Sequence, residues 1–149
     1  MVNTYSPFTG QFMFEVDGLQ IGTFQQVSGL SVEVDAQEIK EGGQNEFIYR
    51  VPGRMKWPNL VLKRGVTTEN NLFEWFRKSS GEGFAGVGNI VDRREASLYM
   101  LDAQLTTLRI WVFSNAFPVK WKGPEFSVDS TSIATEELEV AHHGFRVDV

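Results

Sequence analysis

Three carboxylates near the end of the chain are the first residues whose spacing suggests chemistry. Glu136, Glu137 and Glu139 fall in one β-like run, and Glu137 and Glu139 would share a strand face about 7 Å apart. Two carboxylates at such a separation can act as acid and base in a hydrolysis. No residues that would build a pocket accompany them, so a hydrated acidic surface is the better interpretation. A hydrolase that uses Glu137 or Glu139 is therefore the weakest functional hypothesis.

Two further sequence patterns resemble functional motifs, but the residues around them do not support that function. His142 and His143 are the only histidines, and neighbours on a strand point to opposite faces, so they cannot share a metal ion. Hydrogen bonding at a buried edge or an interface is favoured for them. The pattern G-x-G-x-x-G at 81–86 follows a predicted helix and precedes a strand, the reverse of the order that cradles phosphate. We therefore predict no enzyme, no metal and no cofactor.

Length and composition indicate one ordinary globular domain over residues 1–149, with 1–10 as an N-terminal segment. The chain is 42% hydrophobic and 22% charged, and its formal charge of −5 argues against specific nucleic-acid binding. The longest apolar run, at 110–113, is far shorter than the roughly 20 residues of a membrane-spanning helix, so no membrane insertion is expected. Residues 1–10 lack the features of a signal peptide, so we expect synthesis in the cytoplasm.

Alternating apolar residues predict strands on both sides of a single helix. The predicted strands cover 12–16, 21–27, 30–34, 96–101, 108–114 and 133–142. A helix is predicted over 68–80, with Thr68 as its N-cap and Trp75 on the apolar face that packs on the core. Pro118 is predicted to break the strand before it. The fold class is mainly β, an antiparallel β-sandwich or barrel with one flanking α-helix.

A polar, glycine-rich segment at 36–58 is predicted to be an extended loop or hairpin that projects from the body. Phe47, Tyr49 and Val51 alternate with other residues, which predicts a strand with one buried face, and a turn is expected at 51–53. After that turn, the run 60–62 would be the second strand. The segment contains no converging acids, bases or metal ligands, so contact with another protein is its expected role.

Five motifs, in this order along the chain, carry a resemblance to a known family. They are EGGQN, VPGR, NLVLKRG, WVFSNAFPVKWKGP and ATEELEVAHHGF. As a set they resemble the tail tube proteins of contractile-tailed phages, a family that includes the inner-tube proteins of phage-like contractile injection systems. The resemblance runs from about Phe12 to Phe145, and no one of the motifs would suffice alone.

The resemblance implies a structural role in a larger particle. Family members assemble as hexameric rings that stack into a rigid hollow tube, and sheath contraction drives the tube into a target. The implied partners are further copies of the chain, the contractile sheath protein, baseplate and tube-terminator proteins, and a cargo of protein or DNA in the lumen. The particle would be a phage tail or an injection device, in the cytoplasm or released from the cell, and general likeness favours the injection device.

The resemblance also suggests which residues touch neighbouring subunits. The expected inter-ring and inter-subunit contacts are Glu41, Gly42, Gly43, Gln44, Asn45, Arg50, Arg54, Lys56, Lys63, Arg64, Arg93 and Arg94. The residues expected to face the lumen are Thr135, Glu137 and Glu139. Two alternatives stay open: a baseplate subunit that initiates the tube, and a monomeric β-barrel that binds a small molecule.

Overall fold

The chain folds into strands that surround one short helix. The computed structural model describes residues 10–40, 42–43, 46–67, 71–79, 94–125, 128–129 and 134–148. The strands are β1 (Gly10–Val16), β2 (Leu19–Phe24), β3 (Gln26–Ser28), β4 (Glu33–Ile39), β5 (Tyr49–Lys56), β6 (Leu60–Gly65), β7 (Arg94–Asp102), β8 (Thr107–Lys122), β9 (Thr135–Ala141) and β10 (Phe145–Asp148). The helix is α1 (Asn71–Ser79). The predicted helix is confirmed over these positions, while 68–70 and 80 lie outside the described residues.

One antiparallel sheet of eight strands forms the body. Its order is β2-β1-β7-β8-β9-β6-β3, and β10 pairs with β8 beside this path. The long strand β8 pairs with β7 and β10 along its first half and with β9 along its second half. The sheet therefore has two halves that share β8 and fold over a common core, which confirms the predicted mainly β class.

The two ends of the sheet meet where the chain passes from β2 to β3. These strands end the sheet order on opposite sides, yet only Gln25 separates them in sequence. The Gln25 N–H donates to the Lys63 carbonyl at 3.0 Å, which extends the β3–β6 pairing to the residue that follows β2. The body is therefore close to a closed barrel, an arrangement that leaves few strand edges open.

Alternating residues of the strands fill the core, and α1 covers one side of it. The largest fully buried side chains are Phe14, Phe24, Leu60, Leu62, Leu72, Leu98, Phe113, Leu138 and Val140. The Trp75 ring lies 5.7 Å from Phe14, and Phe73 lies 5.1 Å from Trp121. Trp75 is thus a core residue, as the apolar stripe predicted.

Two prolines do not end strands where the sequence suggested. The turn predicted at 51–53 is wrong, because β5 continues through Pro52, which stands opposite Ala36 beside a register shift. Pro118 likewise lies inside β8, where the register against β9 shifts by one residue. A bulge tolerates proline because the missing N–H then costs no ladder hydrogen bond. The strand predicted over 133–142 corresponds to β9. The prediction missed a further strand, β10, which follows a turn at 142–144.

Candidate functional site

The hairpin, residues 33–56, is a two-stranded sheet set apart from the body. Strand β4 pairs with β5, and neither pairs with another described strand. Glu38 stands opposite Arg50 and forms an ion pair of 3.6 Å with it. A second ion pair of 3.0 Å joins Lys56 to Asp35. This part of the chain therefore forms a hairpin, but its two strands are β4 and β5 rather than β5 and β6 as predicted.

The far end of the hairpin carries an apolar surface. Ile39, Phe47, Ile48 and Tyr49, named the apolar tip from here on, are each between 42% and 53% exposed. The rings of Phe47 and Tyr49 pack edge to face at 4.8 Å. The buried face predicted for this strand is wrong, because a two-stranded hairpin has no second layer against which to bury it.

The opposite face of the hairpin is apolar as well. Val34 and Met55 stand opposite each other in the register and are 44% and 55% exposed. Val34 and Ile39 are five positions apart along β4, and residues an odd number of positions apart on a strand lie on different faces. Both faces thus expose apolar side chains, a feature that marks an interaction surface.

The base of the hairpin is fixed where the segments 29–32 and 57–59 connect it to the body. Gly29 has a φ of +90°, and a Cβ atom there would collide with the carbonyl of Asn59. Only glycine allows both this backbone angle and this approach. This close contact joins the segment before β4 to the segment after β5, and so fixes where the hairpin begins.

His142 connects the segment after β5 to the turn before β10 through hydrogen bonds to Pro58 and Gly144. Its Nδ1 accepts the Gly144 N–H at 3.1 Å, so its proton is on Nε2, which donates to the Pro58 carbonyl at 3.1 Å. The rings of Trp57 and Phe113 pack against the imidazole at 6.2 and 4.9 Å. Burial lowers the pKa of His142, and the neighbouring His143 lowers it further. The structural role predicted for this histidine fits these contacts.

We expect stability to fall with acid through His142. The folded chain holds it neutral, whereas the unfolded chain takes up a proton below a pKa of about 6.5. Its contribution is therefore complete above that pH and is lost as pH falls toward the lower folded pKa. His142→Gln should flatten the dependence of the unfolding free energy on pH between 7 and 5. His143→Gln is the matched control, and an equal change in both variants would contradict the assignment.

The predicted contact residues around the hairpin connection fall partly within the described chain. Gly42 and Gly43 form an exposed turn, and Gly43 has a φ of +89°, as expected of a glycine turn. The other predicted contacts of this group, Glu41, Gln44 and Asn45, lie outside the described residues, and so does Arg93, the predicted contact just before β7.

Most of the predicted basic contacts already have partners within the chain. Lys63 lies 3.6 Å from Glu137, and Arg94 lies 3.2 Å from Asp17, in pairs that are partly exposed but less so than those on the hairpin. Surface pairs of this kind contribute about 1 kcal/mol or less. Arg54 is exposed on β5 and has no ion pair among the described residues.

Arg64 does not fit its predicted place at a subunit contact. Its side chain is 3% exposed, and its Nε donates to the buried Glu136 at 3.2 Å. The other oxygen of that carboxylate accepts the Trp121 indole N–H at 2.7 Å. The guanidinium also lies 5.4 Å from the centre of the Phe24 ring. Both charges point inward because β6 and β9 place them on their core faces, so Glu136 is no part of an acidic surface.

The predicted lumen residues do share one strand face. Thr135, Glu137 and Glu139 alternate with buried residues along β9. Glu137 pairs with Lys63, and Glu139 accepts a hydrogen bond of 2.8 Å from Asn59. Lysines of β8 stand opposite both carboxylates in the register: Lys122 and Lys120. The face therefore carries alternating charges rather than an acidic stripe.

The described residues contain no group of three potential metal ligands. The G-x-G-x-x-G pattern at 81–86 lies outside them. Within the described part of the chain, no helix has the length and apolar character of a membrane span. The hairpin with its apolar tip is thus the feature that most needs a functional explanation.

Comparison with protein families shows to which family the chain belongs. The model of the T4-like virus tail tube protein gp19 matches residues 9–146. The chain belongs to this family. It is a tail tube protein, a structural subunit of the inner tube of a contractile injection system or phage tail. No protein with a curated description matches its sequence.

Solved structures show the same fold over nearly the whole tail tube protein. A chain from the PVC sheath–tube complex of an extracellular contractile injection system has a TM-score of 0.78 at 26% identity, covering 98% of this chain and 93% of that one. A chain from the PVC sheath/tube terminator gives 0.79 at 25%, covering 99% and 100%. A chain from the anti-feeding prophage baseplate gives 0.77 at 21%, covering 99% and 97%, which shows the fold alone.

Proposed function

We propose that this tail tube protein is the repeating subunit of a tube of stacked hexameric rings, and that its hairpin docks on a copy in the adjacent ring. The observation that carries the proposal is the apolar tip. Four large apolar side chains are about half exposed at the end of a hairpin that lacks a core of its own. Water contact at such a patch is unfavourable, and covering it stabilises an assembly.

In a tube of identical subunits, every hairpin can contact a second copy of the chain in the adjacent ring. In a stack of identical rings, the hairpin of one subunit meets a different surface of the next, which is a head-to-tail contact. Such a contact does not close on itself, and the stack can therefore grow along its axis. The turn at Gly42 and Gly43, with Glu41, Gln44 and Asn45, completes this contact in the proposal.

Charged residues of the hairpin have two different roles in the proposal. Arg50 and Lys56 pair with β4 and hold the two strands in register. Arg54 has no such pair among the described residues, so it is the hairpin cation we assign to a carboxylate of the adjacent ring. Charge pairs at the rim of an apolar contact set orientation more than affinity.

Open strand edges support the closure of each ring. Among the described strands, β2 pairs only with β1, and β10 pairs only with β8. The outer edge of β10 therefore has N–H and C=O groups free to pair with another chain, and β2 offers the part of its edge that lies away from the seam with β3. We propose that neighbouring subunits of a ring join at these edges, with Lys63, Arg93 and Arg94 near the contact.

The wider assembly follows from the structures that this chain resembles. Those structures come from a sheath–tube complex, a tube terminator and a baseplate. We propose that the tube stands on a baseplate, ends at a terminator and lies within a sheath whose contraction drives it into a target. The cargo in the lumen would be protein rather than DNA if the particle is an extracellular injection device.

We expect Thr135, Glu137 and Glu139 to face the lumen, where alternating charges keep cargo hydrated. Cysteines placed singly at these positions should react with a small maleimide in assembled tubes but not with a maleimide on a polymer too large to enter. Monomers of the same variants should react with both reagents. Labelling by the large reagent on intact tubes would place this face on the outer wall.

Electron microscopy of the purified chain tests the proposed function. Negative staining at rising protein concentration should show rings with six subunits and then stacked tubes, without any added cofactor. A chain that stays monomeric at every concentration, with a melting temperature that rises with a small molecule, would favour the ligand-binding barrel instead.

A further inference from the structure

The direction of the hairpin relative to the body depends on the two segments that connect them, 29–32 and 57–59. Among the described residues, β4 and β5 pair only with each other, and both ion pairs of the hairpin lie within it. The first segment is attached to the body by Leu30, which packs against the core. The second segment begins with Trp57, which directly follows the last residue of β5. Trp57 is therefore the large side chain of this segment that lies next to the hairpin.

The indole of Trp57 lies against the turn before β10 and against the first residue of β10. A Cβ atom on Gly144 would lie 3.0 Å from the indole, so the ring packs directly on the backbone of the turn. Gly144 has a φ of +119°, a backbone conformation that other residues rarely adopt. The Phe145 ring packs edge to face on the indole at 5.0 Å and lies 5.5 Å from Phe113 of β8. One indole thus joins the base of the hairpin to β10.

Strand β10 is weakly held in the free subunit. It has four residues, and among the described strands it pairs with β8 alone. The three residues that follow Phe145 in this strand are exposed. A short edge strand with few buried side chains opens at a lower free energy than a central strand. Opening of β10 moves Phe145 away from Trp57, and the hairpin then loses one of the contacts that hold its direction.

We propose that Trp57 couples the hairpin to β10, so that pairing at the outer edge of β10 in a closed ring favours docking of the hairpin on the adjacent ring. A neighbouring strand satisfies the open N–H and C=O groups of β10 and keeps it from opening. Phe145 then stays against the indole, and the hairpin keeps one direction before it docks. A segment that is already ordered loses less conformational entropy on binding. Such coupling is reciprocal, so a docked hairpin also stabilises β10.

The effect on assembly rests on the proposed function, whereas the coupling within the subunit does not. The free subunit, kept below its assembly concentration, is therefore the sample for the first test. The chain has no cysteine, so spin labels can be attached at one exposed site on the hairpin and one on the body, Arg54→Cys and Ala103→Cys. The distribution of distances between the labels, measured by double electron–electron resonance, reports the direction of the hairpin.

Each side of the contact is changed in turn, and the other side is measured. Phe145→Ala should widen the distance distribution about twofold, although Phe145 lies outside the hairpin and its connecting segments. Trp57→Ala should speed hydrogen exchange of the β10 amides that bond to β8 by about threefold or more.

The matched control is Phe73→Ala, which removes a ring that packs edge to face on Trp121 and should change neither measurement. If Trp57→Ala does not fold, Trp57→Leu keeps the segment apolar and carries the same expectation. An unchanged distribution in Phe145→Ala, unchanged exchange in the Trp57 variant, or equal changes in Phe73→Ala would overturn the proposal.

Closed rings test the effect on assembly. A chain with Phe47→Asp and Ile48→Asp lacks the apolar tip and should close into rings that do not stack. In such rings, with each labelled subunit diluted among unlabelled ones, the distance distribution should be narrower than in the free subunit by about a third or more. Trp57→Ala should remove this narrowing. Equal widths in rings and in free subunits would overturn the coupling to assembly. Failure to form rings would count against the proposed function alone, since the first test needs only the free subunit.

Discussion

A chain with Phe47→Asp and Ile48→Asp should fold normally and fail to form tubes at concentrations where the parent does. Both side chains are about half exposed, so their replacement should change the free energy of unfolding by about 0.5 kcal/mol or less. Removal of buried anchors from an interface costs about 2 kcal/mol or more. The concentration needed for assembly should therefore rise at least about tenfold. Sedimentation and negative-stain microscopy measure this directly.

The matched control for the apolar tip keeps its character while changing its shape. Phe47→Leu with Ile48→Leu preserves apolar side chains and should leave the assembly concentration within about threefold of the parent, a difference of roughly 0.6 kcal/mol. If the aspartate variant forms tubes as readily as this control, the tip does not form the contact between rings. Circular dichroism of both variants verifies that the body is folded.

The second large effect is expected inside the body. Glu136→Gln should lower the free energy of unfolding by about 3–5 kcal/mol, because it removes the negative charge that faces the buried Arg64 cation at 3.2 Å. Glutamine retains an acceptor for the Trp121 N–H, so the loss reports mainly on the charge. Denaturant unfolding of the subunit, kept below its assembly concentration, provides the measurement.

A matched control for this effect lies next to it on the same strand. Glu137→Gln removes a carboxylate from the exposed face of β9, where Lys63 is its partner, and should cost about 1 kcal/mol or less. Arg64→Met with Glu136→Leu removes both buried charges and should recover most of the stability. Equal losses from the two single glutamine substitutions would show that the Arg64–Glu136 pair does not behave as a buried pair.

The hairpin and the body have different sources of stability, and this difference suits an assembling subunit. The body has a shared core, whereas the described residues of the hairpin have only their ladder, two exposed ion pairs and the contacts at its base. An isolated two-stranded hairpin is marginally stable in water. We infer that docking on a neighbouring copy supplies the second layer that the hairpin lacks.

The fold class was predictable because its evidence is local. Alternation along β1, β6 and β9 follows the burial that the structure shows, and the apolar stripe of α1 correctly predicted that Trp75 packs on the core. The turn between β1 and β2 is local in the same way, because Asp17 and Gly18 both adopt a positive φ, a conformation that Asp and Gly tolerate better than most residues. Proline misled the prediction at Pro52 and Pro118, because a partner strand that accepts a bulge cannot be read from one segment.

The site was predictable as a segment but not in its chemistry. The polar composition of 36–58 predicts a segment that projects from the body, and the structure has β4 and β5 there as a two-stranded sheet of their own. Its charges were expected to make the contact, yet Arg50 and Lys56 are engaged within the hairpin, and apolar side chains form the exposed tip. An alternating apolar pattern indicates that one face will be covered, but it does not say by which chain.

The sequence by itself determined the strand-rich class, the single helix, the projecting segment and the family, because each depends on neighbours along the chain. Only the tertiary structure decided that Arg64 and Glu136 form a buried pair and that the apolar tip remains uncovered. Both depend on which strand pairs with which: β6 beside β9 turns two charges inward, and β4 with β5 alone leaves a hairpin without a second layer. Pairing joins residues that are far apart in sequence, and no local pattern encodes it.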